Sequence, residues 1–240
     1  MIPRLFCATP LSGRQTVDLP DGAAHHARRV LRLQVGDAVT LFDGSGGEVG
    51  GRLARVADVV RVDLGEWQAV EREAVLPVTL MQAVPGGDKM DWVVQKAVEL
   101  GVARIAPLAA ARCVVRLAGE RAERRVSHWQ AVAVAACEQC GRNRVPQVLP
   151  LRDLRGALAE GVPAAGETRL LLSATGGTAL RDLPLPGGVV LLVGPEGGLT
   201  GDEAAAARAC GFVEASLGPR ILRTETAGLA ALAALIALHG

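Results

Sequence analysis

Val189-Val190-Leu191-Leu192-Val193, followed at once by Gly194-Pro195-Glu196-Gly197-Gly198, is the stretch on which the fold turns. Five consecutive apolar residues ending in a glycine-bearing turn read as a buried strand. Beyond the turn, Thr200-Gly201-Asp202-Glu203 matches a capping box, so a helix runs from there to Cys210 with Gly211 past its end. A second unit of the same kind closes the chain. There Val213 to Leu217 is the strand, Gly218-Pro219-Arg220-Ile221-Leu222-Arg223 the turn, and Glu225 to Leu238 the helix. In an open α/β sheet, ligands bind beyond the carboxyl ends of the strands. Glycines let the backbone come close enough for loop N–H and C=O groups to do the recognition. Two such loops late in the chain point to a nucleotide-like ligand held by its C-terminal part.

The surrounding pattern extends that reading. From residue 73 onward strands and helices alternate, the signature of an α/β domain. Strands are expected at Val78–Gln82, Arg104–Leu108, Arg169–Ser173, Val189–Val193 and Val213–Leu217. Helices are expected from Lys89 to Leu100, with Asp88 as N-cap and Gly101 past the end, and from about Glu120 to Gln139. The first strand of this region is followed by Ala83-Val84-Pro85-Gly86-Gly87-Asp88, which lacks the G-x-G-x-x-G spacing of a Rossmann fingerprint. A G-x-x-x-x-G-K-[ST] phosphate loop is also missing from the sequence. The last helix is apolar all round, and such a helix must be covered on every side. One sheet face cannot do that, so a partner subunit is the expected cover.

Residues 1–72 read differently, as a small, mostly β unit. Ala38–Phe42 and Glu48–Val56 are strands joined by Asp43-Gly44-Ser45-Gly46-Gly47, a strong hairpin signal, and Val59 to Leu64 alternates as a third. A short helix from about Gly22 to Leu31 carries Arg28 and Arg29, with Arg32 just beyond, on its exposed side. Short strands closing on one small helix suggest a small β-barrel. The charged segment from Glu66 to Pro77 is the linker, placing the domain boundary near residue 72 and leaving 73–240 as the second domain.

Composition bounds the class. The chain has 240 residues, half of them hydrophobic and 21% charged, which is the profile of a soluble globular protein. The N-terminus lacks the apolar core of a signal peptide, and the apolar run from Ala227 to Leu238 is too short to cross a bilayer. Cytoplasmic localisation is the expectation, with no membrane partner. The five cysteines are scattered and odd in number, as in a reducing compartment. Cys137 and Cys140 form C-x-x-C, but inside a helical pattern and without a second pair, so they read as helix residues and no metal site is expected. The net charge is only +1, yet arginine supplies 24 of the 26 basic residues, lysine only Lys89 and Lys96. Arginines concentrate at 112–125 and 142–155, where they form either a solvated face or an RNA contact.

Four segments then bring in a family. Gln95 to Val102 (QKAVELGV), Glu138-Gln139 with Arg142 and Pro146, Val193 to Leu199 (VGPEGGL), and Leu217 to Ala227 occur in an order that resembles the RsmE family. Its members are bacterial enzymes of the SPOUT superfamily that methylate uridine N3 in small-subunit (16S) ribosomal RNA. His25 to Arg32 followed by Gly36-Asp37 is similar to that family's PUA-like RNA-binding domain. The resemblance covers nearly the whole chain. It departs from the pattern at Cys140 and Cys113, where small polar residues are usual; neither position needs a thiol.

What the resemblance implies is specific. The C-terminal domain would thread its last segment through a loop into a deep trefoil knot, a rare exception to the unknotted rule. S-adenosylmethionine would sit in the knot against Leu172, Ser173, Gly194, Glu196, Gly197, Gly198, Leu217, Gly218, Ile221, Leu222, Arg223 and Thr226. The enzyme would be a homodimer with each site finished by the partner, Arg112 of one subunit facing the loops of the other. Transfer from a sulfonium to nitrogen needs no metal, since the leaving group is a neutral thioether, but the uracil N3 proton must be handled. Arg112 is the candidate cation for the uracil anion, with Glu138, Gln139 and Arg142 orienting the base. Glu138 also lies four residues before Arg142, so an ordinary ion pair between them is an alternative. Arg28, Arg29, Arg32 and Arg116 are the expected RNA contacts. Another SPOUT enzyme acting on a ribose or a different base, or a non-catalytic RNA-binding assembly protein of the same fold, would share these features.

Overall fold

The computed structural model describes residues 2–160 and 166–239. The chain divides into two compact units, one of residues 1–73 together with 134–145, the other of residues 74–133 and 146–240. The linear reading did not anticipate that 134–145 would group with the N-terminal residues.

The first unit is built on a five-stranded sheet in the order β1-β3-β4-β5-β2. Its strands are β1 (Arg4–Phe6), β2 (Thr16–Asp18), β3 (Ala38–Phe42), β4 (Glu48–Val56) and β5 (Val60–Gln68). The expected hairpin joins β3 to β4 antiparallel, with Thr40 opposite Gly50. Strand β5 runs to Gln68, so the first part of the presumed linker is sheet. Helix α1 (Asp21–His25) continues as a π-helical turn over His26–Val30. Leu5, Val39, Leu41, Leu53, Val60 and Val62 are all at most 1% exposed and form the core of this unit.

Segment 134–145 is tied into the same unit by polar contacts. The Phe6 backbone N–H donates to Glu138 Oε1 at 2.9 Å, and Arg4 Nη2 donates to Asn143 Oδ1 at 2.6 Å. Asn143, fully buried, donates in turn to the Val70 carbonyl at 2.6 Å. Arg72 Nη1 bridges the Glu48 carboxylate and the Gly141 carbonyl at 3.0 and 2.9 Å.

The second unit carries an eight-stranded sheet whose ladders are all parallel. In chain order it runs β6 (Val78–Ala83), α2 (Lys89–Glu99), β7 (Arg104–Ala109), α3 (Gly119–Cys140, which continues into the first unit), β8 (Gln147–Val148), β9 (Arg152–Asp153) and α4 (Leu154–Glu160). There follow β10 (Thr168–Leu172), β11 (Thr178–Ala179), β12 (Val189–Val193), α5 (Gly201–Ala209), β13 (Val213–Ser216) and α6 (Thr224–His239). The sheet order is β11-β13-β10-β12-β6-β7-β8, with β9 also on β7. Every residue of β6 and β12 is buried, as central parallel strands covered on both faces require.

Cap chemistry agrees with the sequence at three of four positions. Gly101 and Gly211 take φ of +86° and +83° after α2 and α5, and Thr200 with Glu203 forms a reciprocal capping box at α5. Asp88 is the exception. It makes no side-chain cap bond and its exposed carboxylate lies 3.6 Å from Arg125 instead. Helix α6 is apolar on all sides, and packs on α2, β6 and β12 with Leu232 and Leu235 buried while Leu238 is 55% exposed.

Candidate cofactor cleft

Beyond the carboxyl ends of β10, β12 and β13 lies an open cleft of about 840 Å³. Its walls are the turns that the sequence singled out. Leu172 and Ser173 form one side, Gly194 to Gly198 a second, and Leu217, Gly218, Ile221, Leu222 and Arg223 a third. Thr226 is the one expected contact that does not line it. Its backbone N–H is engaged with the Arg223 carbonyl at 2.9 Å in the first turn of α6.

The two glycine loops are held differently. Gly198 takes φ +68°, and its N–H closes the turn onto the Pro195 carbonyl at 2.8 Å. The Gly194 carbonyl accepts a hydrogen bond from Thr224 Oγ1 at 2.6 Å, and Gln82 Nε2 donates to that hydroxyl at 3.0 Å. These bonds run between buried side chains, so the first loop is anchored to the start of α6 through β6. Gly218 takes φ +108°, a conformation that any residue with a Cβ resists, and its N–H donates to Ser216 Oγ at 3.2 Å.

Arg112 lines the cleft, on the loop after β7. Its Nη1 donates to the Gly197 carbonyl at 2.9 Å within the same chain. The guanidinium is thus tied to its own chain's glycine loop. A side chain at Gly197 would have its Cβ 3.2 Å from that of Arg112, so the glycine makes room for the arginine. The Arg112 loop is fixed by Glu203, whose Oε1 accepts from the Ala111 N–H at 2.7 Å. Burial pushes the Glu203 carboxyl up, but the N–H groups of Thr200 and Ala111 bring it below its usual range, so it stays ionised.

Glu138, Gln139 and Arg142 do not line the cleft. Glu138 holds the Phe6 N–H, and burial raises its carboxyl above the ordinary range despite that bond. Arg142 is 4% exposed and forms a two-point pair with Glu73, its Nε 3.1 Å from Oε1, so the alternative pairing of Glu138 with Arg142 is not the one formed. Gln139 is exposed. Among the arginines read as RNA contacts, Arg29, Arg32 and Arg116 are exposed, whereas Arg28 is half-buried with Nη1 on the Ala57 carbonyl. Cys137 and Cys140 lie in the last turn of α3; burial pushes the Cys137 thiol up to about 12, so it is an inert packing group.

Sequence reasoning missed several residues of the cleft, among them Lys89, Arg208, Glu214, Thr224 and Glu225. Arg208 and Glu214 pair with each other at 2.7 Å. Lys89 Nζ sits 3.1 Å from Glu225 Oε1 and 3.7 Å from Glu196 Oε1, and Glu196 also accepts the Gly86 N–H at 2.8 Å. Burial opposes ionisation of Glu225, but its own N–H, Lys89 and Arg223 hold its carboxyl below the usual range. No stronger signal than the position of Lys89 and Glu225 in helical first turns could have drawn them out of the sequence.

The parallel-sheet unit with its glycine-walled cleft and the small β unit correspond to two known domains, those of an RNA methyltransferase and of the PUA domain that such enzymes carry. Residues 71–236 match the model of an RNA methyltransferase domain, and residues 19–58 that of an RNA methyltransferase PUA domain. The chain belongs to the ribosomal RNA small subunit methyltransferase E family. It is 34% identical to the Bacillus subtilis member over 92% of this chain and 89% of that one. With the Synechocystis member it shares 37% identity over 99% and 78% of the two chains. The Neisseria gonorrhoeae enzyme, solved bound to S-adenosyl methionine, superposes with a TM-score of 0.91 at 41% identity, covering 99% of this chain and 98% of that one. A putative methyltransferase from Legionella pneumophila, solved in complex with its cofactor SAM, gives a TM-score of 0.93 at 36% identity with the same coverage.

Proposed function

We propose that this protein transfers a methyl group from S-adenosylmethionine to N3 of a uridine in small-subunit (16S) ribosomal RNA. The observation that carries the proposal is the cleft itself, bounded by loops from three parallel strands in a chain of this family. The residues fit the cofactor on two grounds. Glycines at 194, 197, 198 and 218 let backbone form the walls, and the buried Glu225 Oε2 lacks a hydrogen-bond partner among the described residues.

Bound there, S-adenosylmethionine supplies an electrophilic methyl carbon with a neutral thioether as leaving group. The protein's part is geometric and electrostatic. The loops at 194–198 and 217–223 would grip the adenosine portion through backbone groups. Anchoring of the Gly194 carbonyl by Thr224 keeps the wall from relaxing, so these loops would hold the cofactor in place while an acceptor approaches. Alignment of donor and acceptor is worth up to roughly 7–11 kcal/mol in ideal cases. Arg112, fixed through Gly197, would place a permanent positive charge beside the uracil and favour the N3 anion as its proton passes to solvent water at the open cleft. Glu138, Gln139 and Arg142 remain candidates for orienting the base, indirectly through the scaffold in the case of Glu138 and Arg142. Arg29, Arg32 and Arg116 would hold phosphates, positioning the RNA without reading its sequence.

The same reading extends to architecture. The exposed end of α6, with Leu238, supports a homodimer formed across that helix. The return of the chain from β13 to α6 packed over β12 and β6 supports a deep trefoil knot, and the five-stranded sheet supports a small PUA-like barrel. Among the described residues no helix is long and apolar enough to cross a membrane, in keeping with a cytoplasmic enzyme working on ribosomes.

The test is nucleoside mass spectrometry of 16S RNA from cells lacking the protein, and of small subunits from those cells treated with pure enzyme and labelled S-adenosylmethionine. N3-methyluridine should be missing from the first and restored in the second. A methyl found on a ribose or another base would replace the uridine-N3 assignment.

A further inference from the structure

Two charged residues of the cleft have no task in the reaction as described. Lys89 opens α2 and Glu225 lies in the first turn of α6, helices that pack on each other. Their side chains meet at 3.1 Å and both line the cleft. One Glu225 oxygen is occupied by Lys89. The other, Oε2, is buried and accepts no hydrogen bond among the described residues. A buried carboxylate oxygen left without a donor is costly, and native proteins keep few of them without a reason. Lysine is itself against the trend here, since arginine supplies all but two of the 26 basic residues. A compact ammonium suits a single-point contact where a guanidinium fork would demand two.

The neighbouring charges narrow the role. Arg208 is committed to Glu214 and Arg112 to the Gly197 carbonyl, while Glu196 holds the Gly86 N–H. Lys89 and the open oxygen of Glu225 stand side by side as a cation and an anion, with Arg220 and Arg223 also on the cleft wall and the Arg223 charge acting on the same carboxylate. A ligand group bearing a carboxylate and an ammonium on one carbon is their complement. We infer that Lys89 and Glu225 recognise the α-amino-acid end of the cofactor, Glu225 Oε2 accepting from the α-ammonium and Lys89 Nζ binding the α-carboxylate. The inference rests on the S-adenosylmethionine reading of the cleft. The other donor available, the uracil N3–H, fits less well. Lys89 and Arg223 keep Glu225 a weak base, poorly matched to a weakly acidic N–H.

Calorimetry with three ligands separates these roles without measuring turnover. S-adenosylhomocysteine keeps the whole amino-acid end, decarboxylated S-adenosylmethionine keeps only its ammonium, and 5′-methylthioadenosine has neither group. Glu225→Gln should weaken the first two by about tenfold and leave the third within about twofold of wild type. Lys89→Met should weaken only S-adenosylhomocysteine, again by about tenfold. A uniform loss across all three ligands, or no loss in either variant, would overturn the assignment while leaving the cofactor reading intact. Failure of the wild-type protein to bind any of the three would overturn both.

Discussion

Replacing Thr224 by valine removes one hydroxyl and keeps the shape of the side chain. The hydroxyl donates to the Gly194 carbonyl at 2.6 Å and accepts from Gln82 Nε2 at 3.0 Å, with Thr224 only 6% exposed. Two hydrogen bonds at about 1 kcal/mol each are lost. The Gly194 carbonyl, deprived of that donor, adds about 1 kcal/mol or more of desolvation. Gln82 has little reserve: Nε2 still reaches the Ala83 carbonyl at 2.9 Å, but its Oε1 is already without a partner among the described residues. The expected loss is about 2–4 kcal/mol, a fall in Tm of roughly 5–10 °C for a domain of this size. Thr224→Ser keeps both bonds and gives up one buried methyl, so it should lose only about 1 kcal/mol. Urea unfolding and S-adenosylhomocysteine calorimetry on the two variants measure the effect, and the valine variant should also bind more weakly because the glycine loop loses its anchor. The reasoning fails if valine is within about 0.5 kcal/mol of wild type, or if serine is as damaging as valine.

Arg112 and Gly218 line the cleft of one chain, so in the proposed dimer a mixture of Arg112→Ala and Gly218→Val subunits leaves every site with one lesion. No recovery of methylation is expected; clear recovery would place Arg112 in the partner's site. Acid stability should depend on Glu48: burial works to raise its carboxyl, but hydrogen bonds from Arg72 and Arg4 bring it from 4.5 to about 2. Because the folded value is depressed, that stabilisation is complete above about pH 4.5 and is lost as pH falls toward 2. Glu48→Gln should therefore be less stable at neutral pH yet show a flatter decline across that window by urea titration, and an unchanged slope would count against the network.

Much of both units was legible because the signals are local. Strand β12 and strand β4 begin and end where hydrophobic runs and turn glycines place them, and the α5 capping box is written in four consecutive residues. The elements that escaped notice are short and depend on distant partners. Strand β1 exists because Arg4 to Phe6 pair with Thr40 to Phe42, and β8 and β9 are two-residue additions to β7. Nothing in Gln147-Val148 or Arg152-Asp153 alone favours strand over loop. Asp88 shows the reverse failure, a good cap residue by type whose carboxylate turns outward to Arg125.

The cleft and the family motifs overlap only in part, and physical roles explain why. Glycine loops announce themselves because backbone approach demands a residue without a side chain. Glu138 and Arg142 announce themselves equally well, and in this structure one binds the Phe6 N–H and the other Glu73, both within the first unit. A deletion of residues 1–70 would thus remove the partners of that segment together with the RNA-facing arginines, and loss of methylation in such a truncation would not separate the two effects. Lys89 and Glu225 belong to no glycine loop, and 136 positions part them. A parallel sheet gathers the beginnings of its helices at the carboxyl edge, where ligands bind. That geometry brings a lysine opening α2 to 3.1 Å from a glutamate opening α6, an ion pair that no spacing rule would detect. Backbone walls suit the adenosine portion of a ligand, whose shape and hydrogen-bonding edges they can follow. A charged end needs side chains, and Lys89 and Glu225 are two that stand side by side on the cleft wall.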